Sequence, residues 1–237
     1  MIRALHPIAA LAFAALAFLP AGALADTREA RNVSGFTAIR LAVPATLKLI
    51  QGETEGLAIE GPADELALIE TVVENGVLQI RKQRSTWSWK SDKVRITVNA
   101  KRIESLAISG SGDINARTLR SPALKLAISG SGDIHIPALD AERAEVAITG
   151  SGDVTLGGKA ATVTSHISGS GDLKAARLEA RDVTISISGS GDVAVWAREA
   201  LRVKIAGAGD VRYYGDPTVE KRIAGSGSVK RLGPAPS

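Results

Sequence analysis

Six aspartates stand at nearly equal intervals in the C-terminal half of the chain: Asp113, Asp133, Asp153, Asp172, Asp192 and Asp210. Each closes a Gly-Ser-Gly-Asp or Gly-Ala-Gly-Asp tetrapeptide. The paired glycines are Gly110 and Gly112, Gly130 and Gly132, Gly150 and Gly152, Gly169 and Gly171, Gly189 and Gly191, and Gly207 and Gly209. A seventh copy carries Ser228 in place of the aspartate. Carboxylates in register on stacked turns suit two kinds of chemistry. They could hold Ca²⁺ between neighbouring turns, because hard cations take carboxylate and carbonyl oxygens. Alternatively, each could accept backbone N–H bonds within its own Gly-rich turn. Like charges stacked at strand spacing would repel by roughly 3 kcal/mol at an effective dielectric of 20, so something must offset them. One aspartate per turn supplies few metal ligands. The expectation is therefore turn capping, with no metal and no cofactor.

A second candidate is the outer edge of the strand before each tetrapeptide, where Ser109, Ser129, Thr149, Ser168 and Ser188 recur. These small hydroxyl residues could keep a crowded sheet smooth or lie beneath the N-terminal strands. They could equally form a shallow platform for an extended ligand. A third candidate is Trp87 with Trp89, which share one face of an extended segment beside Arg84, Lys90 and Lys93. Indoles next to cations stack on sugar rings or sit at interfaces; they could also fold back as a lid on the end of the molecule. Catalytic constellations are poor. His135 and His166 belong to no metal-ligand spacing, and the Gly-rich tetrapeptides lack the Lys-Ser/Thr of a phosphate loop.

The elements that must carry these residues follow from the period. The tetrapeptides recur every 18–20 residues, the mark of a solenoid. Five residues before each Asp or Ser228 stands an isoleucine: Ile108, Ile128, Ile148, Ile167, Ile187, Ile205 and Ile223. Apolar residues alternate before and after each tetrapeptide, which reads as strand, corner, strand. A second corner carries Leu119, Leu139 or Leu178. The predicted fold is all-β: a β-helix or solenoid of about 20-residue coils with Gly-Ser-Gly-Asp corners. Residues 106–230 form these repeats. Residues 26–105 form an N-terminal β region of the same domain, with one hairpin turning at Asn75-Gly76, a pair suited to positive φ. Within that region Asp26 to Ser34 reads as a frayed lead-in and Ala63 to Ile69 as one or two helical turns. The last coil, with Lys221 at a core position, is the expected polar cap, and residues 231–237 a flexible tail.

Composition limits the remaining classes. Residues 1–25 read as a secretory signal, with Arg3, the apolar run Ile8 to Leu19 and Ala23-Leu24-Ala25 before the cut. No later run is long enough to cross a membrane as a helix, so the expected address is the periplasm, the cell surface or the medium. Net charge is +4 with both signs interspersed, which argues against nucleic acid as a partner. There is no cysteine, so neither disulfides nor thiol chemistry are available. Aromatics make up 3% of the chain, leaving Ile, Val, Leu and Ala to build a thin, closely stacked core.

The repeated Ser-Gly-Ser-Gly-Asp-Ile/Val signature resembles the bacterial GIN domain, an adhesin-head family. So do Phe36 with Ile39, Leu47 to Gly52, and Asn75 to Ile80. The resemblance implies a β-helix-like fold in an exported protein whose activity is unassigned. Taken with the residues, it points to a non-catalytic binding module for an envelope or extracellular glycan or protein. The alternatives are a polysaccharide lyase or hydrolase on the same fold, and a structural component of the cell envelope. Oligomeric state is not legible.

Overall fold

The computed structural model describes residues 27–83 and 93–236. The N-terminal part holds β1 (Thr27–Arg31), β2 (Ala38–Ala42), β3 (Thr46–Gln51), β4 (Gly56–Gly61), the single turn α1 (Ala63–Leu66), β5 (Ile69–Glu74), β6 (Val77–Lys82) and β7 (Arg95–Ala100). The repeats hold β8 (Ser105–Gly110), β9 (Asp113–Ala116), β10 (Thr118–Gly130), β11 (Ile134–Gly150), β12 (Val154–Gly169), β13 (Leu173–Gly189), β14 (Val193–Gly207), β15 (Val211–Tyr214), β16 (Thr218–Gly225) and β17 (Val229–Gly233). All of these strands join in one continuous sheet that winds into a β-solenoid.

The register explains the winding. Ile108, Ile128, Ile148, Ile167, Ile187, Ile205 and Ile223 pair in one parallel ladder, each on the isoleucine of the coil below. All but Ile223 are buried. Alternate positions face inward, so every coil contributes apolar side chains from both sides of its Gly-rich corner to one thin core. Leu119, Leu139 and Leu178 close the second corner and are buried. Burial of about 1.5–3 kcal/mol per large aliphatic side chain, repeated coil upon coil, makes the interface between coils the main source of stability.

The chain does not enter this stack at its end. Strand β2 pairs in parallel with both β6 and β8, and β3 with both β7 and β9. The β2–β3 coil therefore lies inside, with the later β6–β7 coil on one side and the first repeat on the other. Antiparallel strands then close that end: β5 on β6, β4 on β7, and β1 on β4. The hairpin is where the sequence puts it, with Asn75 at φ 51° and Gly76 at φ 75°.

Two local expectations are corrected and a third is narrowed. The lead-in is not frayed: Thr27–Arg31 is a paired strand. Arg31 anchors it, donating to the carbonyls of Ile69 at 2.6 Å and Leu66 at 3.0 Å. The helix ends at Leu66, because Ile69 to Glu74 is needed as the outer strand of the hairpin. The last strand runs through Gly233, into the stretch expected as tail, because Val229 to Arg231 pairs with Val211 to Tyr213. At that far end β16 is exposed along almost its whole length, Lys221 included, and Ile223 is 39% accessible. Of the buried polar residues Glu65, Ser121 and Ser165, Ser165 lies fully buried in the ladder between Val146 and Ile185 and has no partner for its hydroxyl among the described residues.

Candidate functional site

Each Gly-rich corner is stitched to the coil before it. The N–H groups of Ser131 and Gly132 both donate to Gly110 O, at 2.9 and 3.1 Å, and the next corners repeat the pattern. The aspartate N–H is the remaining corner donor, and it points along the stack to the carboxylate one coil back. Asp133 N–H donates to Asp113 Oδ1 at 3.1 Å, Asp153 to Asp133 at 2.8 Å, and Asp172 to Asp153 at 3.0 Å. Asp192, Asp210 and Ser228 continue the chain at 2.8, 3.0 and 2.9 Å. This corrects the expected own-turn cap. The carboxylate caps the following coil, because the Ser and Gly N–H groups of its own turn are already taken by the preceding coil's glycine.

The second carboxylate oxygen of several aspartates meets a cation. Lys174 Nζ lies 2.5 Å from Asp153 Oδ2, and Arg212 lies 3.4 Å from Asp192 and 3.6 Å from Asp210. The hydrogen bond to Asp153, with the charges of Asp153, Asp172 and Asp133, raises Lys174 above its ordinary range. Ser228 ends the ladder by donating both its hydroxyl, at 2.8 Å, and its N–H to Asp210 Oδ1. Those two bonds, aided by Arg212, hold the Asp210 carboxyl below the usual range. Among the described residues no cluster of three or more His, Cys, Asp or Glu is placed to hold a metal ion.

The two broad faces of the rod differ. On the face before the corner, Ser109, Ser129, Thr149, Ser168 and Ser188 are exposed in one register on successive strands. The N-terminal strands do not cover this strip, because β2 and β6 extend the same sheet edge to edge. On the face after the corner runs a row that sequence reading missed: Thr97, Lys48, Asn115, His135, Thr155, Lys174, Ala194, Arg212 and Lys230. Near its start a groove of about 490 Å³ is lined by Lys48, Arg95, Arg117, His135, Glu60 and Pro137, among others. A smaller hollow of about 230 Å³ continues it past Asp113, Asp133, Asp153 and Lys174, sharing Asn115 and His135. Trp87 and Trp89 lie outside the described residues.

The chain is thus a β-solenoid with a carboxylate ladder along one corner and two long outer faces. The chain belongs to the family described as "Putative auto-transporter adhesin, head GIN domain", which matches residues 35–217. Among solved structures it is similar to a putative adhesin from Bacteroides fragilis, at 26% identity and TM-score 0.83, over 87% of this chain and 97% of that one. It shares its fold with a putative lipid binding protein from Parabacteroides distasonis, at 21% identity and TM-score 0.72, over 88% and 97% of the two chains. A putative adhesin from Parabacteroides merdae has the same fold, at 19% identity and TM-score 0.68, over 88% and 96%. No curated protein matches the chain.

Proposed function

We propose that this protein is an exported, non-catalytic, adhesion-like module that holds an extended envelope or extracellular glycan along its rod. The observation that carries the reading is the regular presentation of side chains on the outer faces. Ser109, Ser129, Thr149, Ser168 and Ser188 stand on successive strands at about 4.8 Å spacing. A repeating surface of this kind suits a ligand that itself repeats. The family description of an adhesin head supports the same reading, as does the secretory signal read from residues 1–25 of the sequence.

A glycan-cleaving enzyme is favoured by one feature, the hollow where Asp113, Asp133 and Asp153 stand near Lys174. Those carboxylates, however, share one repeated structural duty, with an oxygen of each bonded to the next coil's N–H. General acid–base catalysis on a sugar needs two carboxylates in different roles, and the ladder supplies copies of one role.

An array of envelope glycans, read for retention and for new reducing ends, tests the proposal. Retention without new ends is expected. Turnover, or no retention above control, would overturn it.

A further inference from the structure

We propose that the groove beside Lys48 and Arg117 is a binding site for an acidic glycan, one whose sugar units carry carboxylates, laid along the rod axis. The inference rests on the glycan-binding reading above, adds to the hydroxyl strip a charged groove on the face after the corner, and names the ligand class.

The first observation is shape. The groove and the hollow that continues it share Asn115 and His135 and so form one track across β7, β3, β9, β11, β12 and β13. The larger part, about 490 Å³, lies within the range of small-ligand clefts. Its axis follows the direction in which the strands stack. Lys48 and His135 stand in the same row with Asn115 between them, two strand spacings or about 9.6 Å apart. That span is close to the length of a disaccharide unit in an extended polymer.

The second observation is charge. Further along this face Lys174 is spent on Asp153 and Arg212 on Asp192 and Asp210. In the groove, Lys48, Arg95, Arg117 and His135 form no ion pair with any described residue, and all four are exposed. The lining carboxylate, Glu60, stands in register with Arg95 and is ion-paired to Arg28 at 3.1 Å. Among the described residues, three fixed positive charges therefore line the groove against one carboxylate, Glu60, that is already ion-paired to Arg28.

The third observation selects the kind of anion. Immediately beside these cations the track carries Asp113 and Asp133, neither of them ion-paired to a described residue, together with Asn115. A polyphosphate or a sheet of lipid phosphates would meet repulsion there. A uronate sugar would not, because its hydroxyls donate to carboxylates and amides while its own carboxylate goes to Lys48, Arg95 and Arg117. Alternating anion-binding and hydroxyl-binding groups match a molecule that alternates acid and hydroxyl.

The test is calorimetric titration of the full chain with polygalacturonate, with fully methyl-esterified polygalacturonate, and with phosphatidylglycerol vesicles. Each is repeated on Lys48→Glu with Arg117→Glu, and on a control of equal charge change, Lys159→Glu with Arg198→Glu, just past the second corner and away from both faces. All four side chains are exposed, so both variants should fold, which circular dichroism would verify. Polygalacturonate should bind the parent and the control alike and lose about tenfold or more in affinity, roughly 1.4 kcal/mol, in the groove variant. The ester and the vesicles should bind weakly throughout. Equal loss in both variants, equal binding of acid and ester, or preference for the vesicles would overturn the groove assignment. In the first two cases the wider glycan-binding reading would stand. If neither polygalacturonate nor any envelope glycan on the array is retained, both readings fall.

Discussion

The Asp133 carboxylate accepts the backbone N–H of Asp153, one coil further on, at 2.8 Å. From Asp133 to Asp210, each aspartate is thus an acceptor for its successor and a donor to its predecessor, while Asp113 starts the chain with its N–H on Ala45 O. The negative charges stacked along the corner are offset by N–H dipoles aimed at each of them, and at Asp153, Asp192 and Asp210 by a cation as well.

Substitution at Asp153 should act on the next coil, not on its own. Asp153→Asn keeps an acceptor for the Asp172 N–H and should cost a few tenths of a kcal/mol. Asp153→Ala leaves that half-buried donor unpaired and should cost about 1 kcal/mol or more. Hydrogen exchange should quicken at the Asp172 amide and stay unchanged at the Asp153 amide, which Asp133 still holds. Millimolar Ca²⁺ or a chelator should leave the melting temperature alone. A rise with Ca²⁺ that Asp153→Asn abolishes would show the ladder to be a metal site.

The second glycine of each corner is required by close approach. A Cβ on Gly152 would stand 2.2 Å from Gly132 O and 2.9 Å from Ile128 Cγ2. Gly152→Ala should therefore destabilise by on the order of 3 kcal/mol. At Gly52 nothing lies within 4 Å of such a Cβ, and Gly52→Ala should be nearly neutral. Equal urea midpoints for the two variants would contradict the close stacking of corners.

These corners show what was legible in the sequence. The period, the isoleucine ladder and the Asn75-Gly76 turn follow from local spacing, and the structure has all three. The direction of the Asp bond did not follow, because own-turn and next-coil caps use the same residues at the same spacing. The groove was hidden for another reason. Lys48 and Arg95 reach Asn115 and His135 only because the β2–β3 coil is inserted between β6–β7 and the first repeat. No local pattern reports such a crossover. A weak signal did exist in the residue two after each Asp, where Asn115, His135, Thr155, Lys174 and Arg212 read as one polar row broken by Ala194.

Ser165 is the place where the core departs from its own rule. Its hydroxyl is buried and unpaired among the described residues, while the residues in register on either side are Val146 and Ile185. Ser165→Val removes an unsatisfied polar group and continues the apolar ladder. It should raise stability by about 1 kcal/mol, seen as a higher urea midpoint. A lower midpoint would mean that the site has no room for the added methyls.

The terminal bond between Ser228 and Asp210 gives a pH dependence of defined sign. The Asp210 carboxyl is held below its ordinary value in the folded chain, first by the Ser228 hydroxyl. Its contribution is therefore present above the unfolded pKa and is lost as pH falls through the folded one. Ser228→Ala should melt below the parent near neutral pH, and the gap should close in acid. A gap that widens as pH falls would contradict the assignment.

The property to measure is whether the rod holds a glycan without changing it. Size-exclusion chromatography with light scattering, run on the full chain mixed with envelope polysaccharide, reads binding and polymer length in one sample. Co-elution of protein and polymer, with polymer length unchanged after prolonged incubation, is the predicted result. Polymer that shortens with time, or protein that elutes apart from every glycan tried, would contradict it.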